Sequence, residues 1–78
     1  MNIKVLGPGC ARCKATVEAA RKAVAELGLT AEVEKIEDVE TIMRYNVLAT
    51  PGLVINDTLR ISGRVPTVQE IKDLIGQT

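Results

Sequence analysis

The chain has no histidine, no tryptophan and no phenylalanine, and its one aromatic residue is Tyr45. Without histidine it lacks the usual general base near neutral pH and the commonest metal ligand. With so few rings, any core has to be built from Val, Ile, Leu and Ala. Charge of one sign is missing too: ten Lys and Arg balance ten Asp and Glu, for a formal net charge of zero. A nucleic-acid binder carries a basic patch or stripe, so that class is not expected, and nothing suggests a membrane surface. No run approaches the roughly 18 apolar residues of a membrane span. Met1 leads directly into an apolar alternation without the charged and hydrophobic regions of a signal peptide. A cytoplasmic protein is the expectation. With 78 residues, and neither repeats nor linkers, the chain reads as one domain, 1–78, whose core is limited by its size.

What the chain does have is a pair of cysteines, Cys10 and Cys13, in the stretch Gly7-Pro8-Gly9-Cys10-Ala11-Arg12-Cys13. Stable structural disulfides are rare in the cytosol. A Cys-x-x-Cys pair at a strand–helix junction there points to thiol redox chemistry, with soft-metal binding as the competing use.

The surrounding pattern supports such a junction. Asn2 to Leu6 reads as a strand that Gly7-Pro8-Gly9 stops. From Ala11 to Leu27 the pattern is helical, with Cys13, Val17, Ala20, Val24 and Leu27 on one face and Gly28 as the stop. Cys13 falls on the buried stripe, whereas Cys10 precedes it. Cys10 is therefore expected to be the exposed thiol and Cys13 the shielded one.

Leu29 to Ile36 reads as a second strand with Leu29, Ala31 and Val33 on one face. Asp38 is placed to cap a short helix from Val39 to Tyr45, with Val39, Ile42 and Met43 as its core face. Tyr45 reads as a packing residue. Gly52 to Ile55 and Thr58 to Ser62 flank the hairpin turn Asn56-Asp57, with Leu59 and Ile61 inward. Thr67 and Glu70 form a capping box for a last helix whose stripe is Val68, Ile71, Leu74 and Ile75. Arg60 and Arg64 read as solvated charges. The order is β-α-β-α-β-β-α, an α/β fold with the first two strands parallel and the last two antiparallel.

Five stretches in that order, Cys10-Ala11-Arg12-Cys13, Tyr45-Asn46-Val47, Ala49-Thr50-Pro51, Asn56-Asp57 and Ser62-Gly63, resemble the thioredoxin fold in its minimal form. The resemblance runs over essentially the whole chain. It is strongest to the short thioredoxin-like and glutaredoxin-like redox-active disulfide proteins of archaea and bacteria. It implies a four-stranded mixed sheet with helices on both faces and a thiol–disulfide oxidoreductase. It further implies Cys10 as nucleophile, Cys13 as resolving thiol and Pro51 as a cis-proline beside the disulfide. The backbone of Thr50 would meet an extended substrate, in a groove to which Pro8, Gly9 and Gly63 contribute. No cofactor is implied beyond the Cys10–Cys13 disulfide. The implied partners are disulfide-containing proteins or small molecules and an upstream disulfide reductase, with the chain itself a monomer. Four positions depart from the family pattern. Gly9 stands in place of a tryptophan, Ala11-Arg12 in place of Gly-Pro, and Lys4 where thioredoxins bury an acid.

The thiolate is the attacking species, and a thiol with a pKa near ~8.5 is mostly protonated at pH 7. A helix N-terminus favours negative charge, and Arg12 and Lys14 add cations to the first turn. A moderately lowered Cys10 pKa is the expectation, because a much lower one weakens the nucleophile. Arg12 and Lys14 read equally well as ordinary solvated charges. The alternative function is a soft-metal carrier holding Cu(I) or zinc through the two thiolates. Domains of that kind run β-α-β-β-α-β, with a methionine where Pro8 stands. Two thiolates suffice to hold Cu(I) linearly, but a closed tetrahedral zinc site needs about four ligands, so a structural zinc site within one chain is not expected and no metal ligands are assigned.

Overall fold

The structure, a computed structural model, describes residues 2–9, 11–47 and 49–76. The elements in chain order are β1 (Asn2–Leu6), α1 (Ala11–Glu26), β2 (Glu32–Ile36), α2 (Val39–Arg44), β3 (Gly52–Ile55), β4 (Thr58–Ser62) and α3 (Val68–Gly76). The four strands form one sheet in the order β2-β1-β3-β4. β1 pairs parallel with β2, with Leu6 opposite Ile36, and antiparallel with β3, with Val5 opposite Leu53. β1 and β3 are therefore the central strands. β3 is buried along its whole length, which is why it reads as an unbroken apolar run rather than an alternation.

Alternation along β1 and β3 sends side chains to two cores. On one face Ile3, Val5, Leu53 and Ile55 pack with Val17, Ala20, Ala23 and Val24 of α1 and with Ile71 and Ile75 of α3. On the other, Leu6 and Val54 pack with Ile42 of α2, with Ile36, Tyr45, Val47 and Leu59 around them. Each fully buried aliphatic side chain contributes about 1.5–3 kcal/mol relative to exposure. The larger face therefore carries most of the stability.

Local signals set the element ends. Asp38 accepts from the Thr41 amide at 3.3 Å and caps α2. Thr67 and Glu70 exchange two backbone-to-side-chain bonds of 3.1 Å each at the start of α3. Asn56 and Asp57 both have positive φ, 51° and 64°, the requirement of a two-residue turn that matches strand twist.

Three expectations about packing are corrected. The second strand starts at Glu32 rather than Leu29. At the end of α1, Gly28 takes a φ of 68°, while Leu29 N donates to Val24 O and Gly28 N to Ala25 O, both at 3.1 Å. This double closure ties the Leu29 amide to the helix, so Leu27 and Leu29 are each 40% exposed instead of lining the core. In α2 only Ile42 is buried, and Val39 and Met43 are 63% and 67% exposed. The fully buried part of the sheet face beneath is Leu6 and Val54, and Met43 lies about 100° around the helix axis from Ile42. In β4, Leu59 and Ile61 do not share a face. Leu53 pairs with Ile61 and Val54 with Leu59, so Arg60 is the extra residue of a bulge. Leu59 consequently joins the α2 side and Ile61 the α1–α3 side.

Candidate active site

The site lies at the end of the sheet where β1 and β2 finish and β3 begins. The parallel register brings the ends of β1 and β2 together, and Gly7 N donates to Ile36 O at 2.9 Å. From Gly7 the chain turns through Pro8 and Gly9, the latter with a φ of 89°, and α1 starts at Ala11. Cys10 lies outside the described residues, and with it the expectation of an exposed thiol.

Cys13 is 1% exposed. It sits in the first turn of α1 on the stripe that faces the sheet. A Cβ built on Gly7 would run into Cys13 Sγ, and it would lie 3.8 Å from Thr50 Cβ. The buried sulfur therefore occupies the room that Gly7 leaves vacant, with Thr50 beside it. Below, Thr16 is fully buried, and its hydroxyl donates to Arg12 O at 2.9 Å. That bond satisfies the buried hydroxyl within the helix.

The Thr50–Pro51 peptide bond is cis, as the resemblance implies. Pro51 is fully buried, while Thr50 is half-buried and Ala49 exposed. Gly63, at a φ of 82°, donates its amide to Pro51 O at 3.0 Å. The carbonyl of the same residue accepts from Arg12 Nη2 at 2.8 Å. Arg64 then forks onto Glu70, with Nη1 to Oε1 at 2.9 Å and Nη2 to Oε2 at 2.6 Å. The Arg64 guanidinium and the Thr67 amide hold the Glu70 carboxyl down at about 2.

Of the residues singled out from the sequence, Gly9, Arg12, Cys13, Thr50, Pro51 and Gly63 gather around this end of the sheet, with Pro8 exposed at the turn. Lys14 points elsewhere. It lines a depression of about 200 Å³ with Val17, Glu18, Arg21 and Lys35, between α1 and β2. Lys4 is directed toward the α2 side of the sheet, away from Cys13. Its ammonium donates to Tyr45 Oη at 3.1 Å and lies 3.6 Å from Asp57 at the hairpin. The tyrosine hydroxyl is the main cause of its raised pKa.

Two residues at the site were not anticipated. Gly7 is one, and only the depth of Cys13 reveals its role. Glu37 is the other: its Oε2 lies 3.0 Å from where a Gly9 Cβ would stand, and Lys35 Nζ is 3.5 Å from its Oε1. The parallel pairing of β1 and β2 could have found it, because the residue after Ile36 must arrive beside the turn that follows Gly7.

A mixed four-stranded sheet with its parallel pair joined through α1, α2 on one face and α1 with α3 on the other, is the minimal thioredoxin fold. Comparison with known proteins agrees. Residues 1–76 match the family model described as a thioredoxin domain. A protein named thioredoxin from Methanothermobacter thermautotrophicus is 43% identical over 75 residues, covering 96% of this chain and 97% of the relative. Another of that name from Methanocaldococcus jannaschii is 42% identical over 71 residues, covering 91% and 81%. A probable thioredoxin from the first organism is 33% identical over 79 residues, covering 96% and 92%. The chain belongs to the thioredoxin domain family and is a thioredoxin-like disulfide oxidoreductase.

Proposed function

We propose that the chain reduces or exchanges disulfides through Cys10 and Cys13, and that the placement of Cys13 carries this reading. Its sulfur is buried against Gly7, in a space that the Thr50 side chain also borders. A bulky substrate cannot reach it there. Cys10 stands three residues earlier in the sequence, the spacing of a Cys-x-x-Cys redox pair.

The Cys10 thiolate attacks one sulfur of the substrate disulfide. A mixed disulfide forms, and the first substrate sulfur leaves as a thiolate and takes up a proton. Cys13 then gives up its proton and attacks Cys10 Sγ. The Cys10–substrate bond breaks, the second substrate thiolate leaves, and a Cys10–Cys13 disulfide remains. Two electrons have passed from the dithiol to the substrate, and an upstream disulfide reductase returns them. No other cofactor enters the cycle.

In this reading Thr50, Pro51 and Gly63 present the backbone on which the substrate chain lies, and Pro8 and Gly9 form the opposite lip. Arg12 and Lys14 supply positive charge to the first turn. The unit is the single domain 1–78, acting as a monomer in the cytoplasm on disulfide-containing proteins or small molecules. The observed order β-α-β-α-β-β-α departs from that of the soft-metal carriers, which leaves the oxidoreductase reading ahead.

The test is a Cys13→Ser variant incubated with oxidised insulin. It should accumulate a mixed disulfide at Cys10 visible by mass, whereas the wild type turns over. A variant that releases reduced substrate at the wild-type rate would remove Cys13 from the resolving role. Equilibration of the wild type with defined glutathione ratios should show a two-electron transition between roughly −300 and −180 mV.

A further inference from the structure

We infer that Arg12 is a positioning residue that fixes the dithiol helix against the backbone on which a polypeptide substrate lies, so that it governs reaction with extended chains rather than the reactivity of the thiol itself. The inference rests on the oxidoreductase reading above and adds to it the substrate class on which Arg12 acts.

Disulfide exchange needs the attacking sulfur and the substrate sulfur in line, and small misplacements of reacting groups are costly in rate. Here the two halves of that alignment sit on different parts of the chain. Cys13, the resolving thiol of the oxidoreductase reading, belongs to the first turn of α1, and Cys10 precedes the helix in the sequence. The half-buried Thr50 borders the same space as the Cys13 sulfur, and the Pro51 carbonyl joins that segment to Gly63. In the reading above, an extended chain whose disulfide is attacked by Cys10 lies on those residues.

Arg12 spans the gap. Its guanidinium donates to Gly63 O at 2.8 Å, and Gly63 N donates to Pro51 O at 3.0 Å. One residue of the loop after β4 is thereby held from both sides. Its neighbour Arg64 is anchored in turn on Glu70 by two bonds, so the loop is tied to α3 as well as to α1. Arg12 is itself steadied from behind, since its carbonyl accepts from the buried Thr16 hydroxyl. The guanidinium is thus committed to a backbone carbonyl on the substrate side of the site. Gly63 O is near solvent, and water can replace the lost donor at little cost in stability. An effect of Arg12 on catalysis therefore works through alignment.

The experiment compares wild type with Arg12→Gln in three measurements: urea unfolding, reduction of insulin at fixed dithiothreitol, and alkylation of Cys10 by iodoacetamide across pH in the Cys13→Ser background. Arg12→Gln should unfold at the wild-type urea concentration. Its kcat/KM for insulin should fall by about fivefold or more, the equivalent of one hydrogen bond of about 1 kcal/mol. The alkylation rate above the thiol's titration should not change, because iodoacetamide needs no aligned chain. Three results would overturn the inference: insulin reduction at the wild-type rate, insulin reduction and alkylation falling together, or a deficit that vanishes once the thiol is fully ionised, which would make Arg12 purely an electrostatic residue. A wild type that does not reduce insulin at all would strike the oxidoreductase reading itself, a separate failure.

Discussion

Cys13 Sγ occupies the space in which any residue other than glycine at position 7 would place its Cβ. The contact joins the end of β1 to the first turn of α1 and sets the depth of the buried sulfur. Gly7→Ala must push the sulfur or the strand end aside. Overpacking of this kind costs about 1–3 kcal/mol. Urea unfolding of the reduced variant should show that loss, and Cys13 should become alkylated faster than in wild type. Unchanged stability with unchanged Cys13 protection would mean that the turn shifts without strain.

Lys4 stands at the position where the family buries an acid, but its ammonium serves Tyr45 and Asp57. It lies three residues before Gly7, on the order of 10 Å from it along the chain. Lys4→Met should therefore leave the pH profile of insulin reduction superimposable on that of wild type. A profile displaced along the pH axis would show that Lys4 takes part in the proton economy of the dithiol.

The loop after β4 should loosen in acid. Glu70 is held at about 2 in the folded chain against an ordinary value of 4.5, chiefly by its bonds to Arg64. A depressed carboxyl adds stability above the unfolded value and loses it as pH falls through the folded one. The side chains of Arg64 and Glu70 are 55% and 38% exposed, so solvent and salt screen the effect. Comparing urea midpoints of wild type and Glu70→Gln should show a wild-type advantage that is constant above pH 4.5 and closes toward pH 2. Parallel curves through that window would mean that the pair contributes nothing.

How legible each feature was in the sequence follows from how local its cause is. The Thr67–Glu70 box, the Asp38 cap, the Asn56-Asp57 turn and the Gly28 stop each rest on contacts within a few residues, and each appears where the pattern puts it. The helix stripe likewise put Cys13 inside. Val39 and Met43 were misjudged because periodicity cannot say how wide the sheet face beneath a short helix is. Leu59 and Ile61 were assigned one face because a bulge at Arg60 breaks the alternation without any glycine or proline to announce it. At the site, the cysteines are readable as a motif. The Arg12–Gly63 bridge spans 51 residues, and the Gly7–Cys13 approach depends on how closely a helix sits to a strand. Neither is a property of any window of sequence.

Glu37 sets up an opposition of charges beside Gly9. Its carboxylate reaches over Gly9, the residue before Cys10, and Lys35 pairs with it at 3.5 Å. A carboxylate near a developing thiolate disfavours it, and the lysine partly offsets that effect. Both side chains are partly solvated, 37% for Lys35 and 55% for Glu37, so the influence is modest and weakened by salt. Two substitutions should then act in opposite directions. Glu37→Gln should move the pH midpoint for alkylation of Cys10 downward, and Lys35→Gln should move it upward, each measured in the Cys13→Ser background at low ionic strength. Adding salt should draw both midpoints back toward wild type. If the two substitutions shift the midpoint the same way, the charges do not act on the thiol, and Glu37 reaches over Gly9 only to fill the room its missing side chain leaves.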